Sequence, residues 1–276
     1  MITIPVRDFN LQHTLECGQA FRWRRDGERY IGVVGNSIWK VSQRSDILTV
    51  ESGPPVSEEK VARYFSLDLN LPEIVAPFQD DPVLAPALQE FWGLRLLRQD
   101  TWECLGSYIF SSFNNVKRIT SLVENLSVRF GKPVGTNGAL QYTFPTAGRI
   151  ASLAPSELYP IRPGFRDAYL LETARAVSEG KCDLEKLQEM ETSKAKEALI
   201  GLPGVGEKVA DCILLFAYGR MEVFPIDVWI ERTLRKLYFK GRRRTLRKMQ
   251  RFAKRRFGAA AGYAQEYLYA YARKHL

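Results

Sequence analysis

The stretch Leu199-Ile-Gly-Leu-Pro-Gly-Val-Gly-Glu-Lys-Val-Ala-Asp-Cys212 places three glycines around one proline, between two segments with helical patterning. Glycines on both sides of Pro203 predict a hairpin turn that is too tight for side chains. Because this turn leads into a helix, its free N–H groups and the positive end of the helix dipole can hold a phosphate. We therefore expect the backbone of Gly204, Val205 and Gly206 to contact DNA.

Lys208 follows the turn, in the first turn of the second helix. A lysine there opposes the helix dipole, so the position disfavours the charged form of the amine. Such a place is poor for a structural lysine and suitable for a nucleophilic amine. Asp227, in Phe224-Pro-Ile-Asp-Val-Trp-Ile230, opens the next helix, where an N-cap role is an equally good interpretation. The pair indicates covalent chemistry on DNA more strongly than either residue alone.

Length and composition describe a globular protein with a basic excess. The chain has 276 residues, 45% of them hydrophobic, and a formal net charge of +9, which suggests a polyanionic partner. The four cysteines, at positions 17, 104, 182 and 212, never stand at CxxC spacing, so we expect no metal and no cofactor. No apolar run reaches transmembrane length and no signal-peptide layout is present, which predicts no membrane association and an intracellular location.

The predicted fold class is α+β, with a small antiparallel sheet followed by a multi-helix bundle that contains the hairpin. Turn residues at Asp26-Gly27 and Gly35-Asn36 separate short aromatic and β-branched runs. These predicted strands are residues 20–24, 29–34, 37–42 and 46–50. From Ser57 onward the patterning is helical almost throughout. We expect an N-terminal β domain over residues 1–75 and a helical domain over residues 76–276.

The helical part carries recognisable start signals. Asp100, with Glu103 three residues later, predicts a capped helix whose apolar continuation is buried. Asp81-Pro82 predicts another helix start, because proline is tolerated in a first turn. Residues 131–147 are rich in glycine, proline and asparagine and predict a connection. Further helices are expected over residues 114–130, 165–180, 183–192, 227–238, 245–257 and 258–274.

One charge run stands apart, because residues 240–256 are dense in lysine and arginine and contain no acid. A solvated helix face is the ordinary interpretation of such a run. Because the basic excess of the chain is concentrated here, a surface that faces phosphates is the favoured interpretation.

With these features the sequence resembles the helix-hairpin-helix DNA glycosylases, and most closely the 8-oxoguanine DNA glycosylase/lyases. The resemblance covers nearly the whole chain and follows one order through both its β-rich and helical parts. Besides the hairpin and Pro-Ile-Asp-Val, it rests on Gly18-Gln-Ala-Phe-Arg-Trp23, Gly93-Leu-Arg-Leu-Leu-Arg-Gln-Asp100, Ser111-Ser-Phe-Asn-Asn-Val-Lys-Arg-Ile-Thr120, Gly164-Phe-Arg-Asp-Ala-Tyr169 and Gly262-Tyr-Ala-Gln265.

The resemblance implies a bifunctional base-excision-repair enzyme that acts on duplex DNA containing 8-oxoguanine, as a monomer. The damaged nucleotide is flipped out, because C1′ cannot be attacked inside the stack. Lys208 would attack C1′ and form a Schiff base with the opened sugar, and Asp227 would stabilise oxocarbenium character. β-Elimination then cuts the strand on the 3′ side.

The resemblance also assigns a base pocket. Gly18 matches the position whose carbonyl accepts from N7–H of 8-oxoguanine and repels N7 of guanine, which is itself an acceptor. Gln265 matches the residue that reads the Watson–Crick edge, and Cys212 and Tyr269 match the two sides of the base sandwich. Taken alone, Gly18, Cys212 and Tyr269 would be a turn glycine, a small buried hydrophobe and a core aromatic.

Opposite the lesion, Arg118 and Arg166 match residues that contact the orphaned cytosine, whose O2 and N3 accept hydrogen bonds. Phe165 matches an aromatic wedge against the opened stack. Taken alone, Arg118 and Arg166 would be interpreted as surface arginines on amphipathic helices.

Two positions depart from the family pattern. Phe113, beside Asn114 in the wedge region, stands where the family typically has an asparagine that enters the gap left by the flipped base. Trp229, counted among the DNA-backbone contacts, replaces a histidine linked to the lesion-side phosphate. The first departure leaves the preferred opposite base open, and the second leaves that phosphate contact open.

Two other classes of function stay open from the residues themselves. A monofunctional glycosylase for alkylated bases needs Asp227 but no lysine, so Lys208 argues against it. A non-catalytic DNA-binding protein would use the hairpin only for phosphate, and it leaves the pairing of Lys208 with Asp227 unexplained.

Overall fold

A computed structural model describes residues 1–135 and 140–276. Five strands form an antiparallel sheet in the order β1-β5-β4-β3-β2. They are β1 Ile2–Pro5, β2 Trp23–Asp26, β3 Arg29–Val34, β4 Ser37–Arg44 and β5 Ile47–Gly53. Gly27 and Gly35 adopt φ of +62° and +61° in the two predicted turns, where glycine avoids the strain of a left-handed backbone.

Fourteen α-helices account for most of the remaining described residues. Their bounds are α1 Leu11–Glu16, α2 Glu58–Tyr64, α3 Leu71–Val75, α4 Ala85–Glu90, α5 Thr101–Ile109, α6 Val116–Phe130, α7 Ala147–Ala151, α8 Pro155–Leu158, α9 Arg166–Ser178, α10 Thr192–Ile200, α11 Glu207–Phe216, α12 Val228–Leu237, α13 Leu246–Phe257 and α14 Ala261–His275. No helix of the described residues is long and apolar enough to cross a membrane. The α+β fold class is confirmed.

Several predicted elements have different limits. The strand expected from Ala20 begins at Trp23, and strand β1 was not predicted, although it pairs with β5 in the register Ile2↔Val50. The helix expected over residues 183–192 is wrong, since only a 3₁₀ turn forms at Lys186–Gln188. The connection at residues 131–147 contains a short ladder between β6 Pro133–Val134 and β7 Gln141–Tyr142, and part of it, residues 136–139, lies outside the described residues.

The helix start expected at Asp81-Pro82 is also wrong, because α4 begins at Ala85. The Asp81 carboxylate accepts from the N–H groups of Val83 and Leu84, at 2.8 and 3.1 Å, and so forms a turn before the helix. By contrast, Asp100 caps α5 as predicted and accepts from Glu103 N–H at 2.8 Å.

Two hydrophobic clusters fill the molecule. One packs the sheet against α1, α2 and Leu97, and the other joins the helices with Cys17 and Phe21. Gln19, 1% exposed, lies at their junction, where its side-chain amide donates to the carbonyls of Thr14 and Arg95 and accepts from Leu97 N–H. The clusters divide the sheet from most of the helices, while the domain boundary at residue 75 stays a prediction.

Candidate active site

The hairpin lies between α10 and α11, as the opening stretch predicts. Gly204 has φ of +77°, and a Cβ there would lie 2.7 Å from Tyr169 Cβ, so this position requires glycine. At Gly206 a Cβ would meet nothing within 4 Å, and tightness for side chains is therefore wrong at that position. Gly206 is instead an N-cap without a side chain, which leaves the first N–H groups of α11 open to an anion.

Lys208 occupies the first turn of α11 and points toward Ser111. Its ammonium donates to Ser111 Oγ at 3.1 Å and lies 5.3 Å from the centroid of the Tyr108 ring. Among the described residues it makes no ion pair within 4 Å, whereas Lys196 pairs with Glu207 and Asp211 at 2.7 and 2.8 Å. Lys208 is therefore positioned by a hydroxyl and an aromatic ring, and no carboxylate in the described part of the chain lies within 4 Å of its ammonium.

Asp227 is the N-cap of α12, and Oδ1 accepts from Ile230 N–H at 2.8 Å. Asp227 can be both a helix cap and a group that acts on the sugar. The cap uses one carboxylate oxygen, Oδ1, and holds the carboxylate at the start of α12. Lys208 and Asp227 line the same cavity, which has a volume of about 940 Å³.

The four predicted base-binding residues, Gly18, Cys212, Gln265 and Tyr269, line this cavity as well. Gly18 has φ of +103°, which favours glycine. Burial raises the pKa of the Cys212 thiol to about 12 and also raises the pKa of Tyr269, so both groups are neutral near pH 7. Gln265 is 5% exposed, and its Oε1 has no hydrogen-bond partner among the described residues. A buried acceptor of this kind is satisfied when a ligand supplies a donor.

Phe113, Asn114 and Trp229 lie at the rim of the cavity. Phe113 is 97% exposed and has φ of +49°, a strained backbone for a non-glycine residue. The exposed ring is accessible to a bound duplex at the rim of the cavity, as the predicted wedge requires. The guanidinium of Arg232 lies over the indole of Trp229, with its central carbon 5.4 Å from the ring centroid.

Arg118, Phe165 and Arg166 stand beside the cavity and do not line it. Arg166 donates to the carbonyls of Ser112 and Phe113, and its guanidinium lies 4.4 Å from the centroid of the Phe165 ring. Arg118 donates to the carbonyl of Arg162 at 2.9 Å. Burial lowers the pKa of Arg166, and the positive charge of the nearby Arg118 lowers it further.

The basic run borders the cavity at Arg244 and continues along α13. Arg244 and Leu246 line the cavity, while Met249, Ala253 and Phe257 pack α13 into the core. The basic side chains of α13, at positions 247, 248, 251, 254, 255 and 256, are exposed. One of them is balanced after all, since Arg256 pairs at 2.7 Å with the buried carboxylate of Asp81.

Among the cavity-lining residues that the sequence did not single out are Tyr108, Ser111, Glu266 and Arg273. Ser111 lies within a quoted motif, but nothing in the motif shows that it holds Lys208. Glu266 is 2% exposed, and its Oε1 has no partner among the described residues. Burial raises the pKa of Glu266 from 4.5 to about 7.

This shift predicts that Glu266 lowers stability at alkaline pH. The folded chain retains the Glu266 proton up to about pH 7, whereas the unfolded chain releases it near pH 4.5, so stability is lost as pH rises between these values. We expect Glu266→Gln to gain up to about 3 kcal/mol in unfolding free energy between pH 4.5 and 8, relative to the wild type. Urea titrations at both pH values measure this difference.

Glu90→Gln is the matched control, because hydrogen bonds from Lys274 and His275 lower the pKa of this partly exposed carboxylate. It is expected to show no gain above pH 7. A gain for Glu266→Gln that is the same at both pH values would show that ionisation of Glu266 is not its cause.

A hairpin between helices, with a lysine and an aspartate on one cavity large enough to admit a nucleotide, defines a DNA glycosylase of the helix-hairpin-helix class. Comparison with known proteins supports the assignment to this class. Residues 1–105 match the family described as 8-oxoguanine DNA glycosylase, N-terminal domain. Over 98% of its length the chain is 32% identical to a probable N-glycosylase/DNA lyase of Methanothermobacter thermautotrophicus, 96% of which is covered.

Two solved structures are also similar. An 8-oxoguanine glycosylase/lyase of Clostridium acetobutylicum, bound to DNA with cytosine opposite 8-oxoG, gives a TM-score of 0.91 at 31% identity, over 97% of this chain and 92% of that one. A structure of MBOgg1 with a low-affinity DNA ligand gives 0.94 at 37% identity, over 99% and 95%. The chain therefore belongs to the 8-oxoguanine DNA glycosylase/AP lyases, and the suspected resemblance is confirmed. It is a DNA-binding repair enzyme with glycosylase and lyase activities.

Proposed function

We propose that the enzyme flips 8-oxoguanine from duplex DNA into the 940 Å³ cavity and excises it through a Schiff base on Lys208. The observation that carries this proposal is the convergence of Lys208, Asp227 and the base-binding residues on one cavity. Every side chain the chemistry needs comes from one chain, which supports action as a monomer. Four free cysteines support an intracellular location.

The chemistry begins at C1′ of the flipped nucleotide. The neutral amine of Lys208 attacks C1′, the bond to N9 of the base breaks, and the base leaves with its electron pair and gains a proton. Asp227 stabilises positive charge that develops on the sugar. Ser111 holds the amine before attack. Ring opening then gives the Schiff base, and loss of a C2′ proton expels the 3′ phosphate.

Base selection follows from acceptors that the protein itself leaves open. The Gly18 carbonyl would accept from N7–H of 8-oxoguanine, a donor that guanine lacks. The unpartnered Oε1 of Gln265 would accept from the N1–H and N2–H₂ edge. Cys212 and Tyr269, both neutral near pH 7, would contact the two faces of the base.

The opposite strand would meet the loop around Phe113 and the two neighbouring arginines. Phe113 would fill the gap left by the flipped base, with Asn114 beside it and Phe165 against the opened stack. Arg118 and Arg166 would donate to the orphaned base. Because Phe113 offers no hydrogen bonds, we expect a weaker preference for cytosine than an asparagine would give.

The backbone of the DNA would rest on the turn of Gly204, Val205 and Gly206, on Trp229 and on the basic face of α13. Open N–H groups at the start of α11 and exposed arginines on α13 are both suited to phosphates.

Phosphate binding by α13 predicts a change in salt dependence. Replacing Arg247, Arg251 and Arg255 together by glutamine is expected to reduce the slope of log K against log salt by about 0.9 for each phosphate that these arginines neutralise in the wild type. Fluorescence anisotropy with duplex DNA at several salt concentrations measures the slope.

A matched control removes the same charge elsewhere. Arg25, Arg29 and Arg44 on the sheet are exposed and pair with Glu16, Glu51 and Glu28, respectively. Their triple change to glutamine should leave the slope close to that of the wild type. Equal slopes for both triple variants would show that α13 does not bind phosphates of the DNA.

The test of the proposed function is an excision assay on duplexes with 8-oxoguanine opposite each of the four bases, alongside undamaged and alkylated duplexes. We expect base release and strand cleavage on the 8-oxoguanine duplexes, with a modest dependence on the opposite base. Release of alkylated purines without cleavage would instead support the monofunctional alternative.

A further inference from the structure

The cavity face of α14 carries two residues, Glu266 and Arg273, that the proposed chemistry does not use. At 3.6 residues per turn, Gln265, Glu266, Tyr269 and Arg273 fall within an arc of about 100° on the helix. All four line the cavity. Gln265 and Tyr269 have proposed roles in holding the base, whereas Arg273 lies beyond the sequence motifs and has none.

Arg273 lies between two parts of the base pocket, the segment that carries Gly18 and the ring of Tyr269. Its Nη1 donates to the carbonyl of Cys17 at 2.7 Å, and its guanidinium lies 5.7 Å from the centroid of the Tyr269 ring. The same Nη1 is 2.8 Å from the point where a Cβ on Gly18 would stand. The guanidinium thus fills the space between the α-carbon of Gly18 and the ring of Tyr269.

The peptide units before and after the one that carries the Gly18 carbonyl are held by different groups. Beyond it, the carbonyl of Gln19 accepts from Tyr108 Oη at 3.0 Å and from Gln99 Nε2 at 2.8 Å. Before it, Arg273 holds the carbonyl of Cys17. The direction of the Gly18 carbonyl is set by these two neighbouring peptides, and hydrogen bonds weaken steeply when their angle falls toward 120°.

We propose that Arg273 is a positioning residue for lesion recognition, which aims the Gly18 carbonyl and sets the plane of the Tyr269 ring. The inference rests on the proposed reading of 8-oxoguanine by Gly18. Through these two groups Arg273 would decide how well the pocket separates 8-oxoguanine from guanine. It would have no part in the attack by Lys208 on a site that has already lost its base.

The experiment compares two substrates, because an abasic site needs the lyase but presents no base to recognise. Single-turnover rates are measured on an 8-oxoguanine duplex and on a preformed abasic duplex. We expect Arg273→Met to slow 8-oxoguanine excision by about 10- to 100-fold, as small misplacements of positioning groups do, and to leave abasic-site cleavage within about twofold. Arg273→Lys, which can still donate to Cys17, should recover most of the excision rate.

Lys274→Met is the matched control, since this neighbouring side chain pairs with Glu90 at the surface, 2.6 Å away. It should leave both rates unchanged. Equal losses on the two substrates, in either Arg273 variant, would show a general structural role and overturn the proposal, and so would unchanged excision in Arg273→Met. Failure of the wild type to excise 8-oxoguanine would instead refute the proposed function, which separates the two failures.

Discussion

Lys208→Gln is expected to abolish the covalent adduct that borohydride traps between the enzyme and 8-oxoguanine duplex DNA. Glutamine has no nucleophilic amine, so neither the bond to C1′ nor the Schiff base can form. Base release and strand cleavage should both fall by at least about 10³-fold, because removing a covalent nucleophile eliminates the catalysed path. Denaturing gels after borohydride treatment report the adduct and the cleaved strand together.

Lys117→Gln is the control, because Lys117 also lines the cavity but is exposed on α6. It should retain the adduct and both activities. A wild-type adduct that survives Lys208→Gln would place the nucleophile elsewhere. Base release by the wild type without any adduct would indicate that water attacks instead of an amine, as in a monofunctional glycosylase.

The elements of the fold that the sequence predicts are those marked by local turn and cap residues. Strands β3, β4 and β5 were found because glycine turns and alternating runs mark them, and the cap at Asp100 was found because its spacing is local. Strand β1 has no turn signal of its own, and its existence depends on pairing with β5. The start of α4 failed because Asp81 uses its carboxylate for a turn and for an ion pair with Arg256, a residue far along the chain.

The site residues, too, were predictable only where the sequence carries a local signal. Lys208 was identifiable because a lysine at the start of a helix contradicts the dipole, and that contradiction is visible within a few residues. Arg273 and Glu266 offered no such signal, since an arginine near a helix end and a glutamate within a helix are ordinary. Arg273 and Glu266 are recognised as cavity residues only in the folded structure, where α14 packs beside Cys17 and Gly18 from the other end of the chain.

The proposed roles differ in how much of their support comes from geometry. For Gly18, the structure adds a physical reason to the resemblance, because φ of +103° favours glycine and a Cβ there would displace the guanidinium of Arg273, whose Nη1 lies 2.8 Å away. For Arg118 and Arg166, it shows two cations beside the wedge loop, and their hydrogen bonds are to protein carbonyls. The proposed contacts of these arginines with the orphaned base would use the N–H donors that the protein carbonyls leave free, or would replace these bonds.

Asp227→Asn is expected to lower the rate of base excision by about 10²- to 10³-fold while leaving the fold intact. The amide oxygen of asparagine can still accept from Ile230 N–H, so the cap of α12 is kept and only the negative charge is lost. The charge matters because positive character develops on the sugar as the base leaves. Asp227→Ala removes the cap too, and should cost about 1 kcal/mol of stability in addition.

Asp100→Asn gives the matched control, because Asp100 caps α5 through the same contact at 2.8 Å and does not line the cavity. It should excise 8-oxoguanine at the wild-type rate. Single-turnover excision and thermal unfolding, measured for all three variants, separate charge from capping. If Asp227→Asn were as active as Asp100→Asn, the carboxylate at position 227 would be a helix cap alone, as in a DNA-binding protein without catalysis.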